Sequence, residues 1–156
     1  MNKIKSYSLF FESKMFDNHE ELLEHGQNYL DKFHIENIMS WKKRLESIIQ
    51  NTESFRYVGY SINSLIEDVK KDQLTLENFD KDINSHIKEL DLIYQKSGTL
   101  SSKDDEAYEK LDNLSDEFRV FLEFTEEYLE ELESVSKSYI SIDDKLGFLL
   151  KAKLKK

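Results

Sequence analysis

Four histidines, His19, His25, His34 and His86, are the side chains of this sequence best suited to hold a metal ion or move a proton. Two of them bracket the string His19-Glu20-Glu21-Leu22-Leu23-Glu24-His25. Zinc-protease helices place two histidines four residues apart, so that both project from one face. Here the spacing is six, about 240° around a helix, and the two rings diverge. Glu21 and His25 are four apart and could share an ion. A carboxylate-bridged di-iron bundle needs Glu-x-x-His twice on facing helices, and no Glu-x-x-His occurs in the chain. The nearest pieces, Asp82/His86 and His86/Glu89, do not repeat. The expectation is therefore no metal site and no cofactor. His86 falls at an apolar-seam position between Ile83 and Leu90. Buried there, it would set register or respond to pH. The plainer expectation is that Ile87 takes the buried place and leaves His86 partly exposed.

Other chemistry is thin. There is no cysteine, which excludes disulfides, thiolate metal sites and cysteine nucleophiles. No nucleophile elbow, P-loop or dinucleotide fingerprint is present, and four glycines could hardly build one. Carboxylate pairs are abundant, but catalytic groups usually sit on loops held by a scaffold, and this chain has few. The sequence reads as a non-enzyme.

Charge is the most uneven property. Of a net −10, the stretch 104–133 carries −11, from thirteen acids and two bases (Lys110 and Arg119), leaving +1 for everything else. Asp116, Glu123, Glu126, Glu127, Glu130 and Glu133 are the candidate contacts for a partner protein with a basic surface, in the manner of a nucleic-acid mimic. The alternative is the solvated outer face of an amphipathic helix. The C-terminus reverses sign: Lys145, Lys151, Lys153, Lys155 and Lys156 surround Leu149, Leu150 and Leu154. Lys151, Lys153, Lys155 and Lys156 are candidates for a basic contact, or they favour their own helix dipole or fold back on the acidic helix. Phe55, Tyr57 and Tyr60 lie near Arg56 and the run Lys42-Lys43-Arg44. Interleaved bases and aromatics can bind single strands, but at helical spacing they read as core, and no direct nucleic-acid binding is expected.

The elements that must position these residues are helices. In 156 residues there is no proline, where average usage near 5% would place roughly eight, so a many-turned β protein is unsuited to this composition. Apolar residues make up 38%, charged residues 35%, and mean hydropathy is −0.66. These values fit long helices with one buried stripe each. No run of 18 apolar residues exists, so no membrane span is expected, and Leu9-Phe10-Phe11 is too short for a signal-peptide core. A cytoplasmic protein follows as the default.

Two heptad seams stand out. One runs through Ala107, Leu111, Leu114, Phe118, Phe121, Thr125, Tyr128, Leu132, Val135 and Tyr139, with Leu122 and Leu129 widening it. The other runs through Ile38, Trp41, Leu45, Ile48, Thr52, Phe55, Gly59, Ile62, Ile66 and Val69. The spacing predicts helices over about 18–34, 36–72, 75–97, 103–140 and 142–155. A kink or break is expected within 51–59, where Asn51-Thr52-Glu53-Ser54 could cap a new helix and Gly59 costs about 1 kcal/mol against alanine. Asp17, Thr75, Ser102 and Ser141 are the predicted caps, Phe16 a hydrophobic staple, and Ser97–Ser102 the main loop. The expected fold is all-α: a single domain over 1–156, an elongated antiparallel helical bundle with two long heptad-patterned helices and three shorter ones.

At the N-terminus, Lys5-Ser6-Tyr7, Phe10 and Glu12-Ser13 match the pattern of short segments that open many proteins of large tailed phages. The stretch resembles a capsid-targeting segment, although it starts at Lys5 rather than at the second residue and has Phe11 directly before Glu12. The resemblance covers about a dozen residues and implies a phage origin and a cut after Glu12. The functional expectation is a non-catalytic acidic interaction module, a phage or mobile-element inhibitor or adaptor that occludes a basic partner surface. The alternatives are a self-associating coiled-coil structural or virion scaffold protein and, third, a carboxylate-rich metal-binding bundle. Its partner would be a protein or a second copy, as monomer or homodimer.

Overall fold

Asn18 caps the first helix: its Oδ1 accepts the Glu20 N–H at 2.7 Å and its carbonyl accepts the Leu22 N–H at 3.2 Å. The computed structural model describes residues 15–50 and 54–154. The phage-like stretch at 5–13 and the terminal Lys155 and Lys156 lie outside the described residues. Asp17, the cap expected from sequence, sits one residue outside the helix, because Phe16 is fastened by its backbone and the chain turns into the helix at Asn18.

The described residues form α1 (His19–Phe33), a π-helical segment (His34–Ile38), α2 (Met39–Gln50), α3 (Phe55–Ser97) and α4 (Ser102–Leu154). They contain no strand, and the fold is all-α. Where the spacing predicts two helices meeting near 35, helical bonding continues through the π segment. No glycine or proline stands there to end it, and a π turn absorbs an extra residue without releasing the helix. The break expected within 51–59 precedes Phe55. Ser54 Oγ accepts the Tyr57 N–H at 3.0 Å and caps α3, so Gly59 lies inside that helix.

Two predicted boundaries are absent. Thr75 lies inside α3, which runs through it with Ile62, Val69, Leu76, Ile83 and Leu90 buried at steps of seven. An unbroken seam outweighs one residue of capping chemistry. Ser141 likewise lies inside α4, which continues to Leu154 and does not fold back. At the remaining loop, Gly98 closes α3 with φ +76°, the left-handed conformation that glycine adopts without penalty. Ser101, not Ser102, caps α4: its Oγ accepts the Asp104 N–H at 3.1 Å and its carbonyl the Asp105 N–H at 2.8 Å.

The chain divides into two compact units. The first comprises α1 with Leu74–Glu123. Its core is Leu22, Leu30, Phe33, Leu76, Phe79, Ile83, Leu90, Leu111, Leu114 and Phe118. Phe79 stacks on Phe118 at 5.4 Å and on Tyr29 at 5.1 Å, between ring centroids, within the range of favourable aromatic pairs.

The second comprises His34–Gln73 with the part of α4 from Phe124 onward. Val58, Ile62, Leu65, Ile66, Val69, Leu129 and Leu132 are buried there beside Trp41. Trp41 stacks on Tyr128 at 5.6 Å and donates its Nε1–H to Asp72 at 2.8 Å. Burial raises the Tyr128 phenol above the ordinary tyrosine value. Buried Ser136 replaces the expected seam residue Val135, which is exposed. Its Oγ lies 2.9 Å from the Gly59 carbonyl and 2.5 Å from Asn63 Oδ1. The two backbones come this close only because residue 59 has no side chain: a Cβ there would lie 2.5 Å from Ile140 Cγ1 and 3.1 Å from the Ser136 carbonyl. Gly147, with nothing within 4 Å of a built Cβ, is under no such constraint.

Opposite responses to one substitution follow. Gly147→Ala should raise stability by up to about 1 kcal/mol through helix propensity. Gly59→Ala should lower it by about 1–3 kcal/mol through overpacking despite the same gain in propensity. Urea unfolding followed by circular dichroism reads both.

Candidate functional site

Three groups of side chains in the described residues have chemistry to offer. The first is buried in the first unit and centres on His86. Seam steps of three and four from Phe79 through Ile83, His86 and Leu90 place its ring inside, fully buried, and leave Ile87 half-buried on the flank. This reverses the expectation that Ile87 would displace it. Asp82, one turn earlier on α3, is also fully buried, its Oδ1 3.7 Å from His86 Nε2.

These two side chains hold both backbone polar groups of Phe16. The Phe16 N–H donates to Asp82 Oδ2 at 3.1 Å, and the Phe16 carbonyl lies 2.6 Å from His86 Nε2. A carbonyl oxygen only accepts, so Nε2 carries a proton, and the lone pair of a neutral His86 is on Nδ1. That Nδ1 lies 2.6 Å from Nδ1 of His19, the first residue of α1. Glu89, one turn after His86, brings its carboxylate to the same place: one ligand atom each from His19, His86 and Glu89 lie within 4.8 Å of one another. The Phe16 ring stacks on His25 at 4.8 Å and 9°, rather than on the apolar residue of the first turns that a hydrophobic staple would use.

His19 also lines an open cleft of about 470 Å³ with Asp17, Glu20, Lys103, Glu106 and Lys110. Two ion pairs lie in this cleft: Lys103 lies 3.4 Å from Glu20 and Lys110 2.9 Å from Glu106. The hydrogen bond from Lys110 holds the Glu106 carboxyl below its usual pKa, and the same bond raises that of Lys110.

The second group is the acidic side of α4. Asp116, Glu123, Glu126, Glu127 and Glu130 are exposed, and Glu133 is half-buried. Asp116 lies 3.7 Å from Arg119, and Glu133 lies 3.9 Å from Lys70. Among the described residues Glu123, Glu126, Glu127, Glu130 and Glu131 enter no ion pair. By helical spacing Glu123, Glu126, Glu127 and Glu130 share one side of α4, and Phe124 is exposed next to them.

The third is the end of α4. Arg56 grips Asp143 at 2.9 Å and also pairs with Asp144; hydrogen bonds to Tyr60 and Asp143 raise its pKa. Beyond this clasp Phe148, Leu149 and Leu150 are 73%, 61% and 62% exposed, and Lys145, Lys151 and Lys153 are exposed with them. No helix among the described residues is long and apolar enough to cross a membrane.

The structure thus leaves Asp116, Glu123, Glu126, Glu127, Glu130, Lys151 and Lys153 on the surface and brings together a trio that sequence did not assemble. His86 and Glu89 were visible as a spacing, but His19 lies 67 positions away from His86, and no local signal connects them. Comparison of the chain with protein-family models, curated proteins and solved structures finds no match.

Removing the buried Asp82 carboxylate strands the part-buried Phe16 N–H. Asp82→Ala should therefore cost about 1–3 kcal/mol in urea unfolding, while Glu109→Ala, on the exposed side of α4, should leave the midpoint unchanged.

Proposed function

We propose that this protein is a non-catalytic interaction module whose acidic α4 surface occludes a basic surface of a protein partner, in the manner of a phage or mobile-element inhibitor or adaptor. One observation carries the reading: five glutamates between 123 and 131 stand exposed with no cation paired to them among the described residues. An isolated solvated helix face gains from i,i+4 pairs of opposite charge, and this stretch forgoes them. The potential it generates is available to steer a basic partner. The resemblance of residues 5–13 to a capsid-targeting segment supports the phage class.

We take the stretches of α3 and α4 in the second unit to run antiparallel. Pairing of Arg56 with Asp143 and of Gly59 with Ser136 supports this, since the earlier residue of α3 meets the later residue of α4.

Affinity capture from a host lysate tests the main reading. The wild-type chain should retain a basic protein at low salt and release it as ionic strength rises. The variant Glu123→Lys/Glu126→Lys/Glu127→Lys/Glu130→Lys should lose it by at least about tenfold, since like-charge contacts across an interface cost several kcal/mol. Capture of the same protein at equal strength by both would overturn it.

Self-association is the second reading. The exposed Ile142, Leu146, Phe148, Leu149 and Leu150 favour it, because contiguous exposed apolar surface marks contact sites. Sedimentation at micromolar concentration should then show a dimer that Leu146→Lys/Leu149→Lys converts to a monomer. A wild-type monomer under the same conditions removes this reading and leaves the first intact.

A further inference from the structure

The trio of His19, His86 and Glu89 has the composition of a transition-metal site, and we propose that it binds one divalent metal ion of the zinc type through His19 Nδ1, His86 Nδ1 and a Glu89 carboxylate oxygen. The inference is independent of the α4 reading, since it uses none of that surface.

The donor set comes first. Two imidazoles and a carboxylate are borderline ligands that suit zinc and its neighbours, with no thiolate to draw soft ions and too few oxygens for calcium. Three protein ligands leave at least one position for water, the arrangement of open rather than closed zinc sites. The cleft that His19 lines supplies a route for ion and water.

Geometry comes second. The two Nδ1 atoms lie 2.6 Å apart, and all three ligand atoms lie within 4.8 Å of one another. Ligands at about 2.0–2.2 Å from a shared tetrahedral ion stand roughly 3.3–3.6 Å from each other. The two imidazole nitrogens therefore need to separate by up to about 1 Å. His86 and Glu89 are rigidly spaced one turn apart on α3, so the movement falls to His19, which opens α1 and is only half-buried.

The outer shell is third, and it distinguishes a ligand from a buried polar contact. A ligating histidine characteristically donates its other ring N–H to a carbonyl or carboxylate, which fixes the tautomer and aims the lone pair at the metal. His86 does this: Nε2–H donates to the Phe16 carbonyl at 2.6 Å, with Asp82 3.7 Å behind it. Asp82 in turn holds the Phe16 N–H, so the carbonyl that orients the ring is itself fixed. The lone pair left on Nδ1 points at His19.

Calorimetric titration of the metal-stripped chain with zinc chloride tests the site. The expected result is one ion per chain at micromolar affinity or tighter, with a higher melting temperature in zinc than in chelator. Replacing even an outer-shell partner costs 10–100-fold in affinity, so His19→Gln and Glu89→Gln, at positions that are not fully buried, should each weaken binding by at least about tenfold. Their melting curves in chelator show whether they remain folded. His25→Gln and His34→Gln should leave affinity unchanged. Zinc should also shift the imidazole nitrogen resonances of His19 and His86 and spare those of His25 and His34. No binding below about 0.1 mM, or binding that survives in both His19→Gln and Glu89→Gln, overturns the proposal. The first outcome would make the trio a hydrogen-bonded plug; the second would place the ion on the carboxylates of α4.

Discussion

A helix satisfies its own backbone hydrogen bonds and leaves one stripe of side chains to be removed from water. With no proline and, among the described residues, almost no loop, this chain has little else to fold with. Its structure depends on keeping such stripes in phase over very long spans. On α3 the buried positions Ile62, Val69, Leu76, Ile83 and Leu90 keep a strict seven-residue beat. Between Ile62 and Leu90 every residue on that beat is buried, and on the steps between, Leu65, Phe79 and His86 are buried with it, whatever their chemistry. This explains how a histidine comes to be fully enclosed: the period selects position 86, and the surroundings supply partners to make burial tolerable.

The same principle explains what could be read beforehand and what could not. Helical class, the loop at Gly98 and the stripe of Leu111, Leu114, Phe118 and Leu132 are properties of local period and turn chemistry, and they were readable in one dimension. Boundaries were less so. Thr75 and Ser141 have capping side chains, yet a cap only stabilises an end that already exists, and neither interrupts its helix. At Asp17/Asn18 and Ser101/Ser102 two adjacent residues could serve, and residue type alone does not choose between them. The junction near 35 was marked but its nature was not, since a π turn leaves no glycine or proline as a signature.

The candidate sites divide along the same line. The acidic side of α4 is a compositional fact, visible from a count of charges. The trio around His86 is not: it depends on the backbone of Phe16 being held by Asp82 and His86 of α3, close to where His19 meets His86. Asp82 and His86 act here as a clamp on backbone rather than on side chain, a use that residue type alone does not announce.

The clasp of Arg56 on Asp143 and Asp144 has a consequence for the ten described residues that follow it. An isolated helix of that length is marginal in water. This one persists as the extension of a helix whose nucleation is already complete, so each added turn costs only propagation. It is also unshielded, and its amide hydrogens are the ones that solvent reaches first. The last turns of α4 therefore act as a built-in occupancy gauge: bare, they exchange quickly and yield early to a protease, and anything seated on Phe148, Leu149 and Leu150 would announce itself there as protection.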